Sequence, residues 1–209
     1  MIVIVDYGLG NLASVRNAFL AAGAEVAITA DPAIVSRATG LVLPGVGAAS
    51  AGMRQLRARN LEQPVLAAAQ GGRPVLGLCL GMQLLFDGSE EGDTTCLGLL
   101  PGTVELLQGA MKVPHIGWNQ VTRQGPSLLW DDLPHDPYFY FVHSYICRPR
   151  DPAMIAGTTD YGGPFCSVVA AGTIWGTQFH PERSGRIGQQ LIRNFVSAVG
   201  APVLGQPSR

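Results

Sequence analysis

Four apolar stretches, Ile2-Val3-Ile4-Val5, Val26 to Ile28, Leu41-Val42-Leu43 and Pro74 to Leu78, divide the first 80 residues into strand-sized units. Between them lie segments with helical spacing: Asn11 opens one that carries Leu12, Val15, Phe19 and Ala22, and Gly52 to Asn60 form another. Strands that are apolar throughout have two faces to bury. Alternating with helices, they imply a parallel sheet covered on both sides. The fold class is α/β.

After about Cys96 the texture changes. Val104 to Leu107, Val121 to Arg123, Tyr138 to Ile146, Met154 to Thr158, Cys166 to Ala170 and Thr173 to Phe179 are strand-like and separated by Gly, Pro and Asp, which suggests partly antiparallel pairing. A closing helix from about Ile187 to Val199 carries Leu191, Ile192, Phe195 and Val199 on one face. The expected architecture is one domain over residues 1–200, an open, mostly parallel (mixed) sheet flanked by helices with antiparallel strands in the C-terminal half. Residues 201–209 form a Gly/Pro-containing tail expected to fray.

Composition excludes several function classes. Charged residues make up 14% of the chain and hydrophobic ones 47%, so a large core is available and intrinsic disorder is ruled out. A net charge of −1 offers no field for gathering nucleic acid or anionic lipid. The apolar runs fall far short of the roughly 20 residues that span a bilayer, and the N-terminus opens straight into a strand without a basic segment or cleavage site, so a cytoplasmic location is expected. Cys79, Cys96, Cys147 and Cys166 lie far apart without a CxxC pair, which suits neither a zinc site nor a disulfide framework. No metal or cofactor is expected.

Three motifs carry chemistry. Gly77-Leu78-Cys79-Leu80-Gly81-Met82-Gln83 stands where a buried strand meets a helix. Glycines two residues either side of a sharp turn relieve the crowding there, and the following helix end favours thiolate while leaving the Leu80 N–H for an oxyanion. Cys79 is the candidate nucleophile, although GxCxG alone also fits a small buried cysteine in a Gly-rich turn. Phe179-His180-Pro181-Glu182 closes the last strand-like run; two residues apart on extended chain, His180 and Glu182 share a face and suit a base and its orienter. His115 and His135 lie in Pro-containing loops, and His143 sits in an aromatic strand where a satisfied core or binding role fits better. Finally, Pro44-Gly45-Val46-Gly47 follows the third strand; its glycines let a peptide turn over beside a ligand, and strand-end loops of a parallel sheet converge on one crevice, so it is a candidate second oxyanion donor.

Taken together, these motifs resemble the class I (triad) glutamine amidotransferases over residues 2 to about 199. Asp6-Tyr7-Gly8-Leu9-Gly10-Asn11, Ile116-Gly117-Trp118-Asn119 and Phe141-Val142-His143-Ser144-Tyr145 narrow the resemblance to the glutaminase subunits of histidine biosynthesis. Val46 discriminates, since relatives such as the anthranilate synthase amidotransferase usually carry proline there. The resemblance implies a class I glutamine amidotransferase-like sheet, a catalytic triad of Cys79, His180 and Glu182, and an oxyanion hole at Val46, Gly47 and Leu80. It implies glutamine as substrate, contacted by Gln83, Ser144 and Tyr145 beside Gly47, and an ammonia exit near Trp118 and Tyr138. Gln83, one turn beyond Cys79, independently suits a substrate contact.

A core of this kind consumes nearly the whole chain, so the ammonia acceptor must act in trans. The resemblance makes it a separate (β/α)8-barrel cyclase subunit in a heterodimer, and Tyr7, Asn11 and Trp118 are the expected rim contacts. The alternatives are the amidotransferase subunit of another synthase, such as anthranilate synthase, and a catalytically idle regulatory module; the intact Cys79, His180 and Glu182 count against the latter. An α/β-hydrolase would carry its acid between nucleophile and histidine, which this chain does not.

Overall fold

The computed structural model describes residues 1–109 and 111–200; the expected tail at 201–209 lies outside them. The βα units of the first half are β1 (Ile2–Val5), α1 (Leu12–Ala21), β2 (Val26–Thr29), α2 (Pro32–Val35), β3 (Gly40–Leu43), α3 (Ala49–Ala58), α4 (Glu62–Gln70), β4 (Val75–Leu78) and α5 (Leu80–Leu84). β5 (Phe86–Ser89), β6 (Thr94–Thr95), β7 (Leu100–Leu106), β8 (His115–Gln120), β9 (Thr122–Arg123), β10 (Tyr138–His143), β11 (Tyr145–Pro149), β12 (Ile155–Asp160), β13 (Pro164–Ala171) and β14 (Ile174–Thr177) follow, and α6 (Gly185–Gly200) closes the fold.

The main sheet runs β2-β1-β3-β4-β14-β13-β11-β7-β5-β6, with β12 on β13 and β9 on β12. It is parallel from β2 to β14 and turns antiparallel at β13. Alternation along β1 shows how the layers form: Val3 and Val5 enter one core with Leu41, Leu43 and Met53, while Ile2 and Ile4 enter the other with Val15, Phe19 and Phe195. Successive side chains of a strand point to opposite faces, so an all-apolar strand needs both layers.

The last strand returns to the middle of the sheet. β14 lies parallel to β4 with Thr177 opposite Leu78, so Cys79 and Gln178 leave neighbouring strands at the same level. The chain beyond, Pro181–Arg183, makes a 3-10 turn pinned by α6: a Cβ on Gly188 would overlap the Pro181 carbonyl oxygen.

Three sequence expectations change. The strand expected over Tyr138 to Ile146 breaks at Ser144; β10 pairs with β8 in a separate two-stranded sheet, whereas β11 joins the main one. His115, expected in a Pro-containing loop, is instead the first residue of β8, a strand hidden by its glycine and polar residues. The helix expected over Gly52 to Asn60 is α3, which starts at Ala49, its first N–H taken by the Glu91 carboxylate at 2.8 Å. Among the described residues no helix is long and apolar enough to cross a membrane.

Gly188 provides a stability test whose sign is set by packing. In an exposed helix interior Gly→Ala stabilises by about 1 kcal/mol; here the added methyl has no room, and Gly188→Ala should destabilise by about 1–3 kcal/mol. Urea unfolding of this variant beside Gly200→Ala, at the end of the same helix, where a Cβ meets nothing within 4 Å among the described residues, measures the contrast.

Candidate active site

Cys79 occupies the turn between β4 and α5 with φ 51° and ψ −106°, a left-handed conformation that costs a residue with a side chain about 1–3 kcal/mol. Its surroundings impose that conformation. The Cys79 N–H donates to the Thr177 carbonyl at 2.7 Å, tying the turn to β14. A Cβ on Gly77 would come within 2.6 Å of the Met82 nitrogen, and one on Gly81 would overlap the Leu43 carbonyl oxygen. The two glycines therefore let α5 fold back over β4 and against β3. That helix is only five residues long, so its dipole is a weaker source of thiolate stabilisation than the sequence suggested.

His180 Nδ1 lies 2.8 Å from a Glu182 carboxylate oxygen, and both side chains are buried. The pair meets across the 3-10 turn at Pro181–Arg183, not by the strand alternation expected from sequence. His180 Nε2 is buried, and with Nδ1 held by Glu182 it is the ring nitrogen left to face Cys79 and take part in proton transfer. Burial alone would lower the affinity of this imidazole for a proton. Contacts with Cys79 and Glu182 outweigh it and push the His180 pKa up to about 10.

A cavity of about 350 Å³ opens over Cys79 and is lined in part by Val46, Gly47, Gln83, Ser144 and Tyr145. Its size falls within the range of about 300–1,000 Å³ typical of small-molecule pockets. Gln83 Nε2 donates to the Tyr145 carbonyl at 3.1 Å and to Gln178 Oε1 at 3.2 Å. Both amide hydrogens are thus spent on the protein. Glu91 also lines this cavity, and sequence reading missed it because Ser89-Glu90-Glu91-Gly92-Asp93 has the composition of any solvated turn. Gln178 was missed too, although a polar residue just before Phe179 in an apolar run was a usable signal.

The Pro44-Gly45-Val46-Gly47 loop borders the same cavity. The Leu80 N–H donates to the Gly45 carbonyl at 3.4 Å, so the candidate oxyanion donor is occupied by protein in this state. In a trans peptide N–H and C=O point in opposite directions; the Val46 N–H therefore points away from the Leu80 N–H. Gly47, at φ +105°, needs the freedom of glycine.

On the far side of Val46 and Val142 a second cavity of about 410 Å³ is bordered by Asn11, Pro44, His180 and Arg183. Asn11, exposed, caps α1 by accepting from the Ser14 N–H at 3.2 Å. Ile116, Trp118 and Tyr138 of the β8–β10 ribbon are exposed at 59%, 57% and 54%, a large apolar presentation for a surface ribbon. Trp118 stands opposite Tyr140, whose ring carries the Arg183 guanidinium at 4.5 Å. Tyr7 does not belong to this rim. Its ring is fully buried and its hydroxyl donates to the Pro44 carbonyl, which makes it a support for the loop.

His143 is satisfied from both sides. Since a carbonyl only accepts, the Tyr145 oxygen, 2.9 Å from His143 Nδ1, assigns the proton to that nitrogen. His143 Nε2 then accepts from His115 Nδ1 at 3.0 Å, and His115 Nε2 accepts from the Asn119 amide at 3.3 Å. Neither imidazole is available as a base in this arrangement.

Comparison with known proteins covers nearly the whole chain. The family profile described as Glutamine amidotransferase class-I matches residues 3–199. The chain is 49% identical to "Imidazole glycerol phosphate synthase subunit HisH" of Symbiobacterium thermophilum, covering 99% of this chain and 98% of that protein. It is 46% identical to the protein of the same name from Synechococcus elongatus, with 97% and 95% covered. A solved structure described as a glutamine amidotransferase superposes with a TM-score of 0.77 at 18% identity, over 96% of this chain and all of that one. PurLQS from Thermotoga maritima gives 0.73 at 18% identity, with 94% and 97% covered. These last two speak for the fold alone.

The histidine pair yields a pH test. Burial pushes the pKa of His115 down to about 4 and that of His143 down to about 3, from 6.5. Below pH 6.5 the unfolded chain takes up protons that the folded one refuses, so their contribution to stability is present above 6.5 and is lost as the pH falls towards 4 and 3. His180, with its raised pKa, works in the opposite sense. In His143→Gln, therefore, the change in Tm from pH 7.5 to pH 5 should be less negative than in the wild type, as read by thermal circular dichroism.

Proposed function

Because the chain belongs to the class-I glutamine amidotransferase family, we propose that it is the glutaminase subunit of an imidazole glycerol phosphate synthase, working in the cytoplasm. The observation that carries this reading is that Cys79 lines one cavity, of a size to take glutamine, while His180 lines a second one, bordered by Arg183, whose guanidinium lies over Tyr140 of the β8–β10 ribbon. Near-complete coverage of relatives bearing that name supports it.

Glutamine occupies the cavity over Cys79. With both Gln83 hydrogens committed, the Gln83 carbonyl oxygen is what remains for the substrate, suited to its ammonium group; the Glu91 carboxylate has the charge to assist, and Ser144 and Tyr145 complete the wall. The Cys79 sulfur attacks the side-chain amide carbon. His180 holds the thiol proton and gives it to the departing nitrogen, while Glu182 keeps the imidazole oriented and stabilises its cationic form. Water then opens the thioester and releases glutamate.

Ammonia leaves through the second cavity towards Asn11, Trp118 and Tyr138, where a separate (β/α)8-barrel cyclase docks. There it enters a phosphoribulosyl-formimino aminoimidazole carboxamide ribonucleotide, giving imidazole glycerol phosphate and aminoimidazole carboxamide ribonucleotide. An interface built on Ile116, Trp118 and Tyr138 suits a protein partner, since aromatic residues are enriched in such patches.

The experiment that tests the triad mixes the chain with the cyclase. Cys79→Ala should abolish glutamine-dependent synthesis while ammonium salts still support it, and His180→Asn should be nearly as damaging, with Glu182→Gln milder. Glutamate release at the wild-type rate from Cys79→Ala would overturn the assignment. Loss of the ammonium-dependent reaction as well would mean that assembly had failed.

The loop generates a second expectation. An oxyanion hole made of Val46, Gly47 and Leu80 requires the Gly45–Val46 peptide to turn over, releasing the Leu80 N–H and presenting that of Val46. Each missing donor costs about 2.7–4 kcal/mol, or about 10²–10³ in rate, and the resting loop withholds both. The isolated chain should therefore hydrolyse glutamine slowly and be stimulated by orders of magnitude by a ligand-loaded cyclase. Val46→Pro, which removes the N–H, should lose most of that stimulation, whereas Val46→Ala keeps it; steady-state glutamate release with and without partner decides.

A further inference from the structure

One chain of buried amides ends at the nucleophile, and its polarity can be read without ambiguity. The Tyr145 carbonyl only accepts, so the group 3.1 Å away on Gln83 must be the amide nitrogen. The same nitrogen lies 3.2 Å from the Gln178 side chain, which must therefore present its oxygen. That leaves the Gln178 amide nitrogen facing the other way, 3.6 Å from Cys79 Sγ. Gln178 is fully buried, and its backbone N–H is fixed to the Ser167 carbonyl at 2.9 Å. The Val142 carbonyl, 3.9 Å from the sulfur, is an acceptor and cannot stabilise negative charge.

We propose that Gln178 is a further catalytic residue: its amide N–H donates to the Cys79 sulfur and favours the thiolate, and Gln83, held by the Tyr145 carbonyl, is the positioning residue that keeps this amide from flipping. The proposal rests on Cys79 being the nucleophile. A hydrogen bond to a charged acceptor is about twice as strong as one to a neutral acceptor, so a donor at this position favours S⁻ over S–H. A flipped amide would set its oxygen against the thiolate and its N–H₂ against that of Gln83. The gain in thiolate is partly offset, because nucleophilicity falls as a thiol becomes more acidic: with a Brønsted slope of about 0.4–0.5, a tenfold rise in thiolate fraction loses about threefold in intrinsic reactivity. A net gain of about threefold at neutral pH remains, with no further group required to move.

The test follows iodoacetamide alkylation of Cys79 across pH in the full chain, quantified by peptide mass spectrometry. The reagent is small and neutral, so it reads the sulfur without the substrate contacts of Gln83. The other three cysteines are buried, and burial pushes each of their thiols up. His180, Tyr7 and Cys147, the titratable groups that feel the charge of Cys79, are retained in every variant.

In Gln178→Met the alkylation midpoint should move up by about one pH unit, while the plateau rate at high pH equals or exceeds that of the wild type. Gln178→Glu should move it further, since a carboxylate replaces the donor. Gln83→Met, which leaves Gln178 in place, should reproduce part of the shift and add nothing to Gln178→Met in the double variant; it also serves as the readout if Gln178→Met does not fold. An unchanged midpoint with a lower rate at every pH would reduce Gln178 to packing, and additive midpoint shifts would remove the orienting role of Gln83; either result overturns the proposal. Failure of the triad reading shows separately, as glutamate release by Cys79→Ala.

Discussion

The fit of the Cys79 turn between β4 and α5 is the constraint from which the rest of the site follows. A cysteine at φ 51° is not stable by itself. It persists because α5 is pressed over β4 and against β3 at contacts that only Gly77 and Gly81 allow, and because its N–H is fixed to β14. Strain of this kind is kept only where the surroundings over-determine it. Placing β14 in the middle of the sheet, parallel to β4, is therefore both a packing solution and a means of bringing Gln178 and His180 to the sulfur from a hundred residues away.

The same arrangement separates two spaces. Val46 and Val142 line both cavities, so the wall between them is formed in part by these two residues and includes the loop that carries the candidate oxyanion donor. Tyr7 fixes that loop at the Pro44 carbonyl, and a Cβ on Gly45 would overlap its hydroxyl. Tyr7 thus holds one peptide of the loop, and the long Leu80 N–H bond to the Gly45 carbonyl holds the next.

Much of this was legible in the sequence because the parts that carry chemistry also carry steric signatures. Gly77, Cys79 and Gly81 announce a crowded turn, and the apolar runs of β1, β3 and β4 announce a sheet covered on both faces. His180 and Glu182 were found for a partly mistaken reason: the sequence suggested extended chain, whereas Pro181 starts a 3-10 turn that Gly188 of α6 holds in place. Tyr7 was misplaced on the rim because composition tells nothing of which way a loop aromatic points, and burial decided it. Glu91 and β8 left no local signal at all; both are defined by partners distant in sequence, Ala49 for the one and β10 for the other.

The resting loop also sets the scale of the switch in the proposed function. The Leu80 N–H to Gly45 carbonyl distance of 3.4 Å is at the long end for such a bond, and even a good one contributes only about 0.5–1.5 kcal/mol net. The closed position is therefore held weakly, while a second oxyanion donor is worth about 2.7–4 kcal/mol in the transition state. A partner need only bind the turned-over loop more tightly than the resting one by an amount comparable with the cost of turning a single peptide. With Val46 45% exposed and the loop edge forming one wall of the rim-side cavity, a cyclase docked there would touch the switch directly, so no rearrangement of the sheet or of the triad is required.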